Sequence, residues 1–346
     1  MGLNIPADLG AWQRWQRSRH RLRMLRDVVR RPSPPQLQLL VRGEDPVVLF
    51  ALEATTPTAI ASIAEPMAHL GDTPMAVLAP ADVSAALPGE WRQADAPQAP
   101  RSMRAVIATG HFLAAGALAY QWACEADARF FVVQHGLLAP QAPPLPSGAH
   151  VLAFTDRDFD FWRSGRTDVT GEAIGSQLLW NAAHQPPRAL RELSETKRAT
   201  VSDTPIFLGQ LHGAELPRRV TGRTAELFCR QEGALYRPHP AETDLLSRRQ
   251  HAKWQRNGIR FAEPGPLLQS GHSVVSIFST GVLEAAAAGI PSWVTCVNPP
   301  AWVHEFWERY ELAAWGGTPT RAPVQPDVEP SERIAQIVLA TVRGES

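Results

Sequence analysis

The stretch Val274-Val275-Ser276-Ile277-Phe278-Ser279-Thr280-Gly281-Val282-Leu283-Glu284 decides how this chain folds. Val274 to Phe278 is a short apolar run of the kind that forms a strand buried on both faces, and Val282 to Ala288 is a helix of small residues able to pack closely on a sheet. Ser279, Thr280 and Gly281 lie between them. Strand, sharp loop and helix start in that order place hydroxyl and ionisable side chains at the C-terminal edge of a parallel sheet, where open α/β sheets bind ligands. With Thr280 as N-cap, Glu284 falls one position beyond the capping-box site and its carboxylate faces a ligand; with Gly281 as N-cap, Glu284 is an ordinary capping-box glutamate.

A second unit of the same design precedes it in Tyr236-Arg237-Pro238-His239-Pro240-Ala241-Glu242. Pro238 and Pro240 push Arg237 and His239 into extended geometry, and Pro240 suits the first turn of a helix expected over 241–256. His239 is then at a helix N-terminus beside Arg237, where free N–H groups, the helix dipole and two cationic side chains favour phosphate. The alternative is a proline-stiffened turn with a capping histidine. Farther upstream, Gln210-Leu211-His212-Gly213 ends the strand Ile206 to Leu208, and His212 or Gly213 is placed to help hold a diphosphate.

The Arg-x-His-Pro segment, the Ser-Thr-Gly-x-x-Glu helix start running into Gly289-Ile290-Pro291, and Gln134-His135-Gly136 together resemble glycosyltransferases and polymer-phosphate transferases of the GT-B fold. The nearest branches are the CDP-glycerol glycerophosphotransferase-like and the sialyltransferase or capsule-polymer enzymes. The resemblance implies two doubly wound Rossmann-like domains facing across a cleft. It also implies that His239, Ser279 and Thr280 hold the nucleotide and phosphates of an activated donor and that Glu284 holds ribose hydroxyls; Arg237, beside His239, is expected to join them.

Outward from these motifs, the chain alternates strands and helices, which predicts parallel sheets covered on both faces. Strands are expected at Val47 to Leu52, Met75 to Leu78, Ala105 to Ala108, Phe130 to Val133 and His150 to Phe154, and then at Ile206 to Leu208, Ala234 to Tyr236, Val274 to Phe278 and Ser292 to Val297. No Gly-x-Gly-x-x-Gly fingerprint follows a strand, so a dinucleotide cofactor is not expected. The expected organisation is a basic N-terminal helix in 1–35, an acceptor domain over 36–185, a linker at 186–204, a nucleotide-donor domain over 205–300, and helices in 301–346 that cross back to the first domain. The helix at 11–31 carries Trp12, Trp15, Leu22, Leu25 and Val29 on one stripe among many arginines. Such a stripe packs on its own domain or lies on an anionic membrane surface, packing being the commoner outcome.

His135 follows an apolar strand, and a histidine at that edge suits a general base on an acceptor hydroxyl. His111 and Glu53, each following another strand, are its rivals. Asp156-Arg157-Asp158 resembles a metal-holding acidic motif, but Thr155 with Asp158 three positions later reads better as a helix start. No His and Cys spacing suggests zinc, so neither metal nor cofactor is expected.

The 346 residues carry 34 basic and 34 acidic side chains, a balance without the basic excess of nucleic-acid binders. Lys197 and Lys253 are the only lysines, a bias that makes the arginine count uninformative about ligands. Three scattered cysteines, with no span of about 18 apolar residues, fit a cytoplasmic protein, peripheral at the inner membrane face if the basic helix binds lipid. The activity expected is transfer of a sugar or polyol-phosphate unit from a nucleotide-activated donor to a hydroxyl acceptor, lipid-linked or polymeric, in bacterial cell-envelope or capsule synthesis. The alternatives are a sugar-nucleotide epimerase or hydrolase of the same fold, and a non-catalytic binding protein.

Overall fold

A computed structural model describes residues 2–19, 36–184, 202–210, 215–240 and 242–345. The chain divides into two compact α/β units, one of Met1–Leu178 with Pro326–Ser346 and one of Leu179–Gln325. Most of the expected linker lies outside the described residues, as does the N-terminal helix beyond Arg19. Residues 301–325 stay with the second unit, and the return to the first begins at Pro326 rather than at 301.

The first unit is an eight-stranded sheet in the order β4-β1-β3-β2-β5-β6-β7-β8. Its strands are β1 (Gln38–Arg42), β2 (Val48–Ala51), β3 (Met75–Ala79), β4 (Arg92–Gln93), β5 (Ala105–Ala108), β6 (Arg129–Val133), β7 (His150–Ala153) and β8 (Thr170–Ala173). From β3 to β8 every pairing is parallel, while β1 pairs antiparallel with both β3 and β4. The apolar runs became strands because they are buried on both faces. Leu49 and Ala51 join a cluster with Ala115, Ala119 and Trp122 of the helix Ala114–Glu125. Val48, Phe50 and Leu52 join an opposite cluster with Ile334, Ala335 and Val338 of the helix Pro330–Arg343. Emptying a side chain such as Phe50 from such a layer costs about 3–5 kcal/mol.

The N-terminal helix Leu9–Arg19 packs on this unit. Trp12 is buried, its indole Nε1 donates to the Gln141 carbonyl at 2.8 Å, and its ring meets Phe112 edge-on.

The second unit is a parallel sheet in the order β10-β9-β11-β12, built from β9 (Ser202–Leu208), β10 (Leu235–Arg237), β11 (His272–Ser276) and β12 (Ser292–Val294). Its β9, β11 and helix Thr280–Ala287 share a core of Ile206, Leu208, Val274 and Ala285. Gly281 is required for that approach: a Cβ there would stand 2.7 Å from Leu208 Cδ1. Strand order, parallel pairing and helices on the sheet faces make both units Rossmann-like α/β structures.

Candidate functional site

In the second unit the middle strand β9 brings the two motifs together, because β10 and β11 flank it. Arg237 ends β10 and donates to the Gly265 carbonyl. The chain after β11 turns at Ile277 and Phe278, and Ser279 is the N-cap of the helix, its Oγ accepting from Gly281 N–H at 3.2 Å. Neither cap expected from the sequence is the one used. Glu284 is therefore the fifth residue after the cap, too far along for a capping box, and its carboxylate has no hydrogen-bond partner among the described residues. Burial pushes its pKa from 4.5 up to about 7, and the positive charge of Arg237 pulls in the opposite direction. Arg237 and Glu284, far apart in sequence, thus feel each other across the end of β9.

The placement of His239 at a helix start is corrected by the structure. The helix begins at Leu245, capped by Asp244, whose Oδ1 accepts from the backbone N–H groups of Leu246 and Ser247. Arg218 pairs with Asp244 at 3.0 Å, so carboxylate and guanidinium already occupy that terminus. Burial pushes the Asp244 carboxyl upward, but the hydrogen bonds from Arg218 and Ser247 and the charge of Arg218 outweigh it and hold the group well below the usual carboxylate range. His239 lies instead in the loop after β10, and a buried glutamate fixes that loop. Glu242 accepts from Tyr236 Oη at 2.9 and 3.0 Å and from His239 N–H at 3.3 Å, and pairs with His251 Nε2 at 2.7 Å. Burial first, and then this carboxylate, drives the Tyr236 phenol far up, so it remains a donor at every physiological pH. Glu242 escaped sequence reasoning; its spacing of six from Tyr236 and nine from His251 is a contact pattern with no motif to announce it.

His212 and Gly213 lie outside the described residues. Gln210, two positions before His212, is described: its Oε1 accepts from Phe278 N–H at 3.2 Å. Its Nε2 is buried without an acceptor among the described residues. Ile277 is fixed from the other side by Trp307 Nε1, which donates to its carbonyl at 2.7 Å.

In the first unit the three candidate bases are distinguished by their surroundings. Glu53 follows β2 and accepts from Gly116 N–H at 2.8 Å and from Ala115 N–H, at the start of a helix whose N-cap Leu113 offers no side-chain cap. Burial raises its pKa and the two N–H groups lower it. Gly116 is constrained there, since a Cβ would fall 2.1 Å from the Gly110 carbonyl oxygen. His111 packs edge-on against Tyr120 and is pushed down to about 4 by burial and then by Arg166, a value too low for an efficient base near neutrality. His135 follows β6 directly, its pKa is lowered by burial alone, and its Nδ1 is buried without a partner among the described residues.

The acidic run Asp156-Arg157-Asp158 opens the helix Asp156–Arg163, with Thr155 as N-cap accepting from Asp158 N–H at 3.1 Å. Among the described residues no group of three or more His, Cys, Asp or Glu side chains is arranged to hold a metal ion. Nor is any described helix long and apolar enough to cross a membrane.

No family model and no curated protein matches the chain. Among solved structures it is similar to MnaA from S. aureus, determined with UDP, at a TM-score of 0.49 and 13% identity over 84% of this chain and 87% of that one. It is also similar to HepE from Anabaena, in complex with UDP and glucose, at a TM-score of 0.45 and 13% identity over 86% and 90% of the two chains. Neither score settles a shared fold, so the class of this chain rests on its own strand order and connections: two Rossmann-like α/β units.

Proposed function

We propose that the chain is a GT-B-like enzyme that transfers a sugar or polyol-phosphate unit from a nucleotide-activated donor to a hydroxyl acceptor. The second unit binds the donor. The observation that carries this reading is the electrostatic coupling of Arg237 to a half-buried Glu284 that has no hydrogen-bond partner among the described residues. A carboxylate kept from water at the ligand-binding edge of a parallel sheet is costly unless something meets it, and the hydroxyls of a ribose are suitable donors. Arg237, His239 and the N-terminus of the helix Thr280–Ala287 supply positive potential for the phosphates and for the charge that develops on the leaving group.

On the acceptor side, His135 serves as the base. An imidazole held neutral by burial has a free lone pair at pH 7 and can take the proton of an attacking hydroxyl. Glu53, the acid that an epimerase or hydrolase would recruit from this unit, is engaged by two backbone N–H groups, which favours the transferase reading. Asp156 and Asp158 begin a helix, so the leaving-group charge is assigned to the second unit's own cations.

Calorimetry with CMP, CDP, UDP and GDP tests the donor site. One of the four should bind, and Glu284→Ala and His239→Ala should each weaken it by roughly 1–3 kcal/mol with the fold intact. Failure of the wild type to bind any of them, or unchanged affinity in both variants, would sink the assignment.

A further inference from the structure

Each unit carries a glutamine just past the end of a parallel strand, and both glutamines make the same contact. Gln134 follows β6, and its Oε1 accepts at 2.8 Å from the backbone N–H of Phe154, just past the end of the neighbouring β7. Gln210 follows β9, and its Oε1 accepts at 3.2 Å from the backbone N–H of Phe278, just past the end of the neighbouring β11. A backbone N–H can be met only by the oxygen end of an amide, so this strap also fixes where the NH₂ group lies. The local sequences correspond as well, Gln-His-Gly in one unit and Gln-x-His-Gly in the other.

The units part at the second end of the amide. Gln134 Nε2 donates to the Gly136 carbonyl at 3.0 Å. Gln210 Nε2 is buried and meets no acceptor among the described residues. Because β9 lies between β10, which ends in Arg237, and β11, whose following loop leads to Ser279, Gln210 follows the middle strand at the same sheet edge as both. Arg237 and the helix N-terminus both favour negative charge there.

We propose that Gln210 is a donor-binding residue whose Nε2 hydrogen-bonds a phosphate oxygen of the nucleotide, an inference that rests on the nucleotide reading above. The strap makes it effective, because an amide already oriented loses little freedom when the ligand arrives. Phe278 N–H thereby links the loop before the helix to the ligand through one side chain. The competing account is a buried water. A cavity of about 30 Å³ that Gln210 shares with Arg218, Glu242 and Gln250 is large enough to hold one.

Two substitutions separate these accounts when the best-binding nucleotide is titrated by calorimetry. Q210E keeps an oxygen for Phe278 N–H and removes only the NH₂ group, whereas Q210M removes both. If Nε2 meets phosphate, both variants lose at least about tenfold in affinity, Q210E at least as much as Q210M because it sets a carboxylate against the phosphate. Loss in Q210M alone would make Gln210 a strap and nothing more, overturning the inference. Unchanged affinity in both would overturn it while leaving the nucleotide site standing. Should Q210E fail to fold, Q210M with a wild-type melting temperature decides, and unchanged affinity there overturns the inference. If the wild type binds none of CMP, CDP, UDP or GDP, the nucleotide reading and Gln210's role fall together.

Discussion

Glu53 and Glu284 are half-buried carboxyls, one at the sheet edge of each unit, and burial pushes both upward. Glu53 is met by two backbone N–H groups of its own unit, while Glu284 has only the field of Arg237. The same desolvation therefore has a structural cause in the first unit and none in the second. The glutamines Gln134 and Gln210 divide the same way. What the first edge leaves over for chemistry is the unpartnered imidazole nitrogen of His135, His111 being too weakly basic. What the second leaves over is a carboxylate in the field of a guanidinium, and an amide donor without an acceptor among the described residues. Neutral nitrogen suits the uptake of a proton, and paired charges suit the grip of a polar, anionic molecule.

The largest expected effect tests the first edge. With a donor and acceptor pair in hand, His135→Ala should lower turnover by roughly 10² to 10⁴ and leave nucleotide affinity as it was. Full turnover would hand the role to His111 or Glu53, and abolition by EDTA with rescue by manganese would restore the acidic run at Asp156 to metal binding.

The next concerns the stability of the free protein. Glu284 is higher in the folded chain, about 7, than its ordinary 4.5. Its contribution is thus fully present below pH 4.5 and is lost as pH rises through 7, when the folded chain must hold a buried charge that the unfolded chain holds in water. The displacement corresponds to about 3 kcal/mol at most. Glu284→Gln should accordingly stabilise the free protein at pH 8, by up to that amount, and hardly at all at pH 4. Denaturant melts at the two pH values measure it, and a variant equally or less stable at pH 8 would mean that something in the protein already answers this carboxylate.

Glu53→Ala sharpens the contrast from the other side. Losing the cap of the helix Ala114–Glu125 should cost about 1–2 kcal/mol with nucleotide binding untouched. A gain in stability would put Glu53 in the same class as Glu284. The smallest effect belongs to Trp12→Phe, which keeps an aromatic ring but removes the Nε1–H that bonds the Gln141 carbonyl; about 1 kcal/mol of stability should go, with no change in turnover.

The sequence was readable where burial was total. Val48 to Ala51, Ala105 to Ala108 and Arg129 to Val133 are apolar throughout or nearly so, and no other structure suits such runs between turns. β1, β4 and β8 escaped notice because they carry weaker signals. Thr170-Gly171-Glu172-Ala173 has no apolar run, and it is a strand because β7 offers it a ladder. Helix starts failed for a different reason. Pro240 fits a first turn, but Asp244, with Ser247 three positions on, satisfies two N–H groups at once and wins. At the other helix Ser279, rather than Thr280 or Gly281, is the cap, its hydroxyl accepting from Gly281 N–H. The edge rule for parallel sheets put Arg237 and Glu284 each at a ligand-binding edge, but their electrostatic coupling was not read from the sequence. Gln210 was not legible, since an amide carries no charge and no pattern; the recurrence of Gln before His-Gly in both halves was the one available clue.

The helix Pro330–Arg343 covers a sheet face whose strands all lie before residue 174. During synthesis those strands emerge first and then wait while the whole second unit is made. At elongation rates of about 5–20 residues per second, the wait is on the order of 8–30 s. Through that interval Phe50, Val77 and Ile107 lack the cover that Ile334, Ala335 and Val338 later supply. A truncation that removes the helix Pro330–Arg343 would therefore injure the half of the protein that was translated earliest.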